Sequence, residues 1–313
     1  MDVALKVDVD THQGLGEGVP RLIRALTELG VTATFLIAMG PDNSGRAIVR
    51  VLRNPGFLKK MRRTRAVAMY GLRTVLSGTA LPSRPIALAF PHVMRELARA
   101  GFEVGVHGYD HVRWQDRLDE IGEPGIRSEI DDAFEAFRAV MGIRARCFGA
   151  PGWRTSAAAL RVLDALGLHY RSDTRGTAPY RCEIAGEFFA TAEIPTTLPT
   201  MDEVMGPELT ESGAIVRLYL DRINVEALNV HTIHAETEGM GQLETFAALM
   251  QALKDRGARF VQLREAAAAL DRTALPICEV VRTTLPGRAG WISAQGPERK
   301  LAETAIVTAT AGL

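Results

Sequence analysis

One pattern recurs five times along this chain: an amphipathic helical run, a glycine, then a short apolar stretch. Ala25 to Leu29 and Gly30 precede Val31 to Ile37, and Glu96 to Ala100 and Gly101 precede Phe102 to Val106. Gly142 stands before Ile143 to Phe148, Gly167 before Leu168 to Arg171, and Gly257 before Ala258 to Val261. Glycine at a helix C-terminus takes the left-handed conformation without steric cost and turns the chain into the next strand. Helices alternating with strands predict parallel strands joined by helical crossovers. Leu5 to Val9 adds a first strand and Ala227 to Ile233 a late one. The pattern suits a barrel or barrel-like α/β sheet, and periodicity alone leaves an open doubly wound sheet as the alternative.

The chain has 313 residues, 47% of them hydrophobic, which is enough for one large α/β domain. It carries 37 basic and 37 acidic residues, so bulk charge predicts no acidic partner and any electrostatic preference is local. Such a locality exists. Residues 43–95 hold no Asp or Glu, while Arg46, Arg50, Arg53, Lys59, Lys60, Arg62, Arg63, Arg65, Arg73, Arg84 and Arg95 alternate with apolar side chains. Basic and apolar residues together read as a surface that lies on an anionic membrane; a solvated helical insertion is the plainer reading. One basic insertion in a neutral protein is thin support for nucleic acid, and none is expected as a partner. No apolar run approaches the roughly 20 residues that span a bilayer. The N-terminus lacks a basic region followed by an apolar run, so no signal peptide is expected. Cys147, Cys182 and Cys278 are widely spaced, which argues against a disulfide framework and fits a reducing cytosol. Weak periodicity after residue 275 predicts a main domain over 1–275 and a loosely ordered extension over 276–313.

Polar candidates collect just past one strand after another, where parallel α/β folds place their active sites. Asp8 and Asp10 close the first strand. His107 and His111 follow Phe102 to Val106, Pro151, Trp153 and Arg154 follow Phe148, Asp173 follows Ser172, and His231 and His234 close the late strand. Two imidazoles four residues apart on a helical turn can share a metal. Asp10 would complete a ligand set of two histidines and one carboxylate acceptable to zinc, manganese, cobalt or nickel. Strand alternation puts Asp8 on the same face as Asp10, free to act as base beside a bound water. His234 is then the acid on the leaving-group side.

These residues resemble the motifs of the polysaccharide deacetylase, or NodB-homology, family from about residue 5 to 270. The aspartate pair is matched by Val7-Asp8-Val9-Asp10-Thr11, the His-x3-His motif by His107 and His111, and the acid histidine by Thr232-Ile233-His234. In the third motif, Phe148-Gly149-Ala150-Pro151-Gly152-Trp153-Arg154, the family's usual arginine is absent at Gly149, with Arg154 the nearest substitute. Asp173 matches the aspartate that orients the base. The resemblance implies a distorted (β/α)7-type barrel with a basic, largely helical insertion after strand 2 and one divalent metal ion. It implies Asp8, His234 and Asp173 as catalytic, Asp10, His107 and His111 as ligands, and Pro151, Trp153, Arg154 and Arg175 as substrate-binding, with Arg154 or Arg175 tuning Asp8.

Five segments narrow the resemblance: Asp8-Val-Asp-Thr, Ala150-Pro-Gly-Trp-Arg154, Ser172-Asp-Thr-Arg-Gly176, Ile194-Pro-Thr-Thr-Leu-Pro-Thr200 and Thr232-Ile-His-Ala-Glu236. They are similar to the 4-deoxy-4-formamido-L-arabinose-phosphoundecaprenol deformylases. That group removes formate from a polyprenyl-phosphate-linked amino sugar bound for lipid A, the modification behind polymyxin resistance. The implied location is cytoplasmic, peripheral on the inner face of the inner membrane. Deacetylation of an N-acetyl sugar or peptidoglycan is the alternative within hydrolases; an inactive barrel that binds a lipid-linked sugar is the alternative outside them. His12, His231 and Cys182 match no motif and receive no role, and His92 and His169 read as structural.

Overall fold

A computed structural model describes residues 1–46, 77–79, 81–206, 209–286, 288 and 290–299. Strand β1 (Asp2–Val9) is the hub. It pairs in parallel with β10 (Asn229–His234) on one side and β2 (Thr34–Ile37) on the other, and β11 (Arg259–Val261) joins it near its start. From β2 the parallel order continues through β5 (Glu103–Val106), β6 (Cys147–Phe148) and β7 (Tyr170–Arg171) to β9 (Glu187–Glu193). Past β9 the chain crosses back to β10. The N–H groups of Thr197 and Leu198 both donate to the Val230 carbonyl at 3.0 and 3.1 Å, and Val230 N–H donates to the Thr197 hydroxyl at 2.9 Å. The hydroxyls of Thr196 and Thr232 meet at 2.7 Å. The parallel strands thus curl into the distorted barrel that the sequence implies, and a short seam joins its two ends.

Around the strands run α1 (Val19–Leu29), α2 (Pro91–Arg99), α3 (His111–Arg117), α4 (Gly122–Met141), α5 (Ala157–Ala165), α6 (Met201–Val204), α7 (Ser212–Arg222), α8 (Leu243–Asp255) and α9 (Leu263–Ala268). Alternation along β1 sorts its side chains into two layers. Val3, Leu5, Val7 and Val9 face the large apolar layer under the helices. Ala4 faces the lumen with Leu36, Cys147, Tyr170, Ile194 and Val230, and Val261, Leu263 and Ala267 pack against this inner cluster. Lys6 and Asp8 continue the Ala4 face toward the open end. A solid floor of apolar side chains therefore leaves the polar members of β1 only one way to point.

The repeated glycines end helices as expected. Gly30 caps α1 at φ 63° with its N–H on the carbonyls of Leu26 and Thr27, and Gly101, Gly142, Gly167 and Gly257 share the positive φ.

Two expectations are corrected or bounded. The segment after Pro276 is not loose as far as residue 299. β8 (Tyr180–Ile184) runs antiparallel to β9, β12 (Ile277–Thr283) pairs in parallel with β8, and β13 (Ile292–Glu298) pairs antiparallel with β12. The hairpin is pinned by Trp291, whose ring lies 3.9 Å from the Arg282 guanidinium and 4.8 Å from that of Arg154. These long-range contacts leave no periodic trace in the sequence; residues 300–313 lie outside the described residues. Of the basic insertion, residues 47–76 and 80 also lie outside the described residues, and with them its expected helical content. Its two feet are described: β3 (Pro41–Asp42) pairs antiparallel with β4 (Arg84–Pro85).

A Cβ on Gly30 would meet nothing within 4 Å. Gly30→Ala therefore costs only the left-handed backbone, about 1–2 kcal/mol, and urea denaturation is expected to return that loss with an unchanged m-value.

Candidate active site at the barrel mouth

Asp8 and Asp10 leave the end of β1 on the lumen face. His107 follows β5, and His111 opens α3. The two histidines do not share a helical turn as their spacing suggests. The chain turns at Gly108, φ 74°, and α3 begins only after Asp110, whose side chain caps it by accepting from Arg113 N–H at 3.0 Å. Gly108 is obligatory for a second reason: a Cβ there would lie 2.9 Å from the Pro151 ring. The loop nevertheless brings the imidazole centroids to 5.3 Å. His107 Nδ1 is held by the Gly149 carbonyl at 2.8 Å, which leaves Nε2 facing the acids. His107 Nε2 is 3.3 Å from Asp10 Oδ1 and 3.8 Å from Asp8 Oδ2, and His111 Nε2 is 3.5 Å from Asp10 Oδ2.

Asp10, His107 and His111 each offer one ligand atom, and all three atoms lie within 4.8 Å of one another. Asp10 Oδ1 and Asp8 Oδ1 are buried without a hydrogen-bond partner. Burial pushes Asp10 upward, but the charges of His111 and His107 win and hold it well below the usual carboxylate range. Burial lowers His111, which favours the neutral imidazole that a metal requires. Orphaned carboxylate oxygens facing two imidazoles fit a divalent ion.

His234, at the end of β10, sits across the mouth. Burial alone would depress it, yet the carboxylates of Asp10, Asp202, Asp8 and Glu238 lift it to about 9. Its Nδ1 lies 3.9 Å from Asp202 Oδ1, and the Trp153 ring stands edge-on at 6.4 Å. The site is thus protonated on one side at neutral pH and anionic on the other.

The strand ends carrying these groups are fixed by two buried glutamates. Glu236 Oε1 accepts the N–H of Asp10 at 3.0 Å and the N–H and hydroxyl of Thr11 at 2.8 Å each. Glu238 Oε2 accepts the N–H of His234 at 2.8 Å. Burial pushes both acids up to about 7, with the Asp10 charge adding to the push on Glu236. Gly14 must be glycine here, because a Cβ would overlap the Glu236 carboxylate.

The remaining candidates fall into separate places. Trp153 is buried, in a turn with φ 52°, and its Nε1 donates to Thr196 Oγ1 at 2.9 Å. Arg175 lies 5.0 Å from that ring and donates to Glu203 at 2.9 and 3.0 Å; Arg288 lies 4.2 Å from the ring and donates to the same carboxylate. Arg154 turns toward Gln115 and donates from Nε to the Trp291 carbonyl at 3.0 Å. The cation beside Asp8 is instead Lys6, fully buried, with Nζ 3.4 Å from Asp8 Oδ2. Asp173 is buried with both oxygens unpartnered and raised well above the carboxylate range by burial and by Glu193. His231 is buried against Tyr219 at 4.6 Å and pushed down to about 3 by burial and Arg175; His12 donates its N–H to Asp42 at 3.1 Å. Lys6 was readable by the alternation that exposes Asp8, while Glu236, Glu238 and Asp202 act through contacts between segments.

Fold and site together define an α/β barrel with a histidine–carboxylate cluster at the C-terminal ends of its strands, in which Asp10, His107 and His111 could hold a metal ion. The polysaccharide deacetylase model matches residues 2–171, and the chain belongs to that family. It is 34% identical over 295 residues, 94% of each chain, to a probable 4-deoxy-4-formamido-L-arabinose-phosphoundecaprenol deformylase, ArnD, of Shewanella sediminis. It is 31% identical to the protein of that name from Wigglesworthia glossinidia brevipalpis, over 89% of this chain and 96% of the relative. Among solved structures, a Mycobacterium smegmatis protein of the polysaccharide deacetylase type shares the fold with a TM-score of 0.62 at 19% identity, covering 91% of this chain and 94% of the other.

Two measurements check the site. Calorimetric titration of chelator-treated protein with zinc or cobalt is expected to give one ion per chain, with affinity down at least about 100-fold in Asp10→Ala or His111→Ala. In metal-free protein, the His234 imidazole is expected to titrate near 9 by NMR. Its raised value means it stays charged below that pH and loses its attraction to the surrounding acids above it; Asp202→Asn lowers the midpoint.

Proposed function

We propose that this protein is a metal-dependent amide hydrolase that removes formate from 4-deoxy-4-formamido-L-arabinose carried on undecaprenyl phosphate, in the pathway that modifies lipid A and confers polymyxin resistance. One observation carries the substrate: the 34% identity to an ArnD deformylase runs over 94% of both chains. The site supplies chemistry that suits it.

Asp10, His107 and His111 would hold the ion, for which zinc, manganese, cobalt and nickel are all acceptable. Bound there, a divalent ion supplies Lewis-acid polarisation of the amide carbonyl and a lowered pKa for water. The protein's own groups handle the protons. Asp8 is the base: its Oδ1 is free of hydrogen bonds and buried at the mouth, ready to take a proton from the attacking water. His234 is the acid: it faces the mouth from the end of β10, with Asp202, Asp8 and Glu238 among the carboxylates that raise it. Asp202 beside Nδ1 leaves Nε2 for the departing amine nitrogen. Protonation there makes the amine a competent leaving group, and the C–N bond breaks to release formate. Trp153 walls the site at the edge of His234, and Arg175 stands over its ring as a neighbour for the sugar or its phosphate.

The membrane surface is part of the same reading. A C55-type lipid stays in the bilayer, so its enzyme must come to the surface. No helix among the described residues is long and apolar enough to cross a membrane. Residues 43–95 carry eleven basic and no acidic side chains, and each basic residue near an anionic surface contributes about 1 kcal/mol. The feet of that insertion stand beside the site: His12, two residues from Asp10, holds Asp42 and the Pro85 carbonyl, and Asn43 donates to the α3 cap Asp110 at 2.7 Å. Exposed Leu81 and Leu88 flank them. On this reading the protein works peripherally on the cytoplasmic face of the inner membrane.

Mass spectrometry is expected to detect formate from the lipid-linked formamido sugar and little acetate from an N-acetyl counterpart; the reverse selectivity would make the chain a deacetylase. His234→Ala is expected to lower kcat by about 100-fold or more. Deleting residues 45–80 is expected to abolish flotation with anionic liposomes, and unchanged flotation would remove the membrane reading.

A further inference from the structure

Lys6 is a fully buried ammonium inside the barrel, the kind of group that is kept only where it has a task or a partner. Its Nζ donates to the Ser172 carbonyl at 3.0 Å, lies 3.4 Å from Asp8 Oδ2 and sits 5.5 Å from the centre of the Trp153 ring. Those contacts fix the head from three directions. Its stem passes over Gly149: a Cβ there would come within 3.3 Å of Lys6 Cε and 2.4 Å of Leu36. The space above the end of β6 is therefore taken by Leu36 of β2 and the Lys6 stem of β1, and position 149 is left without a side chain. The same ammonium acts electrostatically on buried Asp173, so it ties together two acids that share no hydrogen bond.

We propose that Lys6 is the positioning residue for Asp8, holding Oδ2 so that the unpartnered Oδ1 faces the attacking water; this rests on the role given to Asp8 above. Lys6 touches no reacting atom in this scheme. In each turnover Asp8 takes a proton from water and passes it on with the product. In this proposal Lys6 takes the task that the motifs give to Arg154 or Arg175; Arg154 is turned to the Trp291 carbonyl and Arg175 to Glu203.

The test uses the full-length, metal-loaded protein as Lys6→Met and Lys6→Arg, alone and with Asp8→Asn. A positioning role predicts that K6M lowers kcat at least about 100-fold with KM within about threefold and metal content unchanged. It predicts that K6R retains at least about a tenth of the wild-type kcat, and that K6M adds less than about threefold to the loss in D8N. A crystal structure of K6M is expected to show the Asp8 carboxylate rotated out of its present position. K6M with kcat within threefold of wild type, a loss confined to KM or to metal content, full additivity with D8N, or an unmoved Asp8 would each overturn the proposal. Where K6M is too unstable to purify, K6R decides at the one-tenth threshold. Wild-type protein inactive on formyl and acetyl sugars alike would count against the functional reading alone, because the K6M and K6R structures still report whether Asp8 depends on the cation.

Discussion

The mouth of this barrel gathers four buried or half-buried carboxylates, those of Asp8, Asp10, Glu236 and Glu238, within a few residues of the ends of two adjacent strands. Like charges crowded in a low-dielectric site are costly unless each has a partner. The surrounding structure can be understood as the set of arrangements that meet this cost. Glu236 and Glu238 direct oxygens at backbone N–H groups, so they brace the strand ends while their own ionisation is suppressed. Asp10 faces two imidazoles, and Asp8 faces Lys6. His234 takes up the remaining field as a proton. Electrostatics here sets backbone geometry as well as reactivity, because the glutamates that hold the β1 and β10 ends belong to the same cluster.

Much of this was legible in the sequence. Gly30, Gly101, Gly142, Gly167 and Gly257 marked helix ends because left-handed backbone selects glycine locally, with no need to know the fold. Asp8, Asp10, His107, His111 and His234 could be grouped because each lies just past an apolar strand. What escaped was non-local. Barrel closure rests on one carbonyl shared by Thr197 and Leu198 and on a pair of threonine hydroxyls, none of which has a periodic signature. The hairpin of β12 and β13 depends on Trp291 meeting two arginines from distant segments. Arg154 seemed suited to the site by its place beside Trp153, but the turn through Gly152 and Trp153 is left-handed and carries the next residue away.

Charge is also divided along the chain in a way that the neutral total conceals. All 37 acidic residues lie outside residues 43–95, which hold eleven of the 37 basic ones. The body is therefore net acidic, and residues 43–95 are basic. A molecule so divided is oriented by an anionic surface before it touches it, since the two parts feel opposite forces within a Debye length.

The packing of Lys6 over Gly149 has a consequence for how such a site can change over evolutionary time. Any side chain added at 149 collides with Leu36 and crowds the lysine stem, while loss of the lysine alone strands a buried aspartate. Each single step away from this arrangement passes through a damaged protein, and a side chain at 149 needs room from Leu36 as well as from the lysine. Positions 6, 36 and 149, drawn from near the ends of three strands, therefore form one inherited character, and descendants of this chain are bound to keep or replace them together.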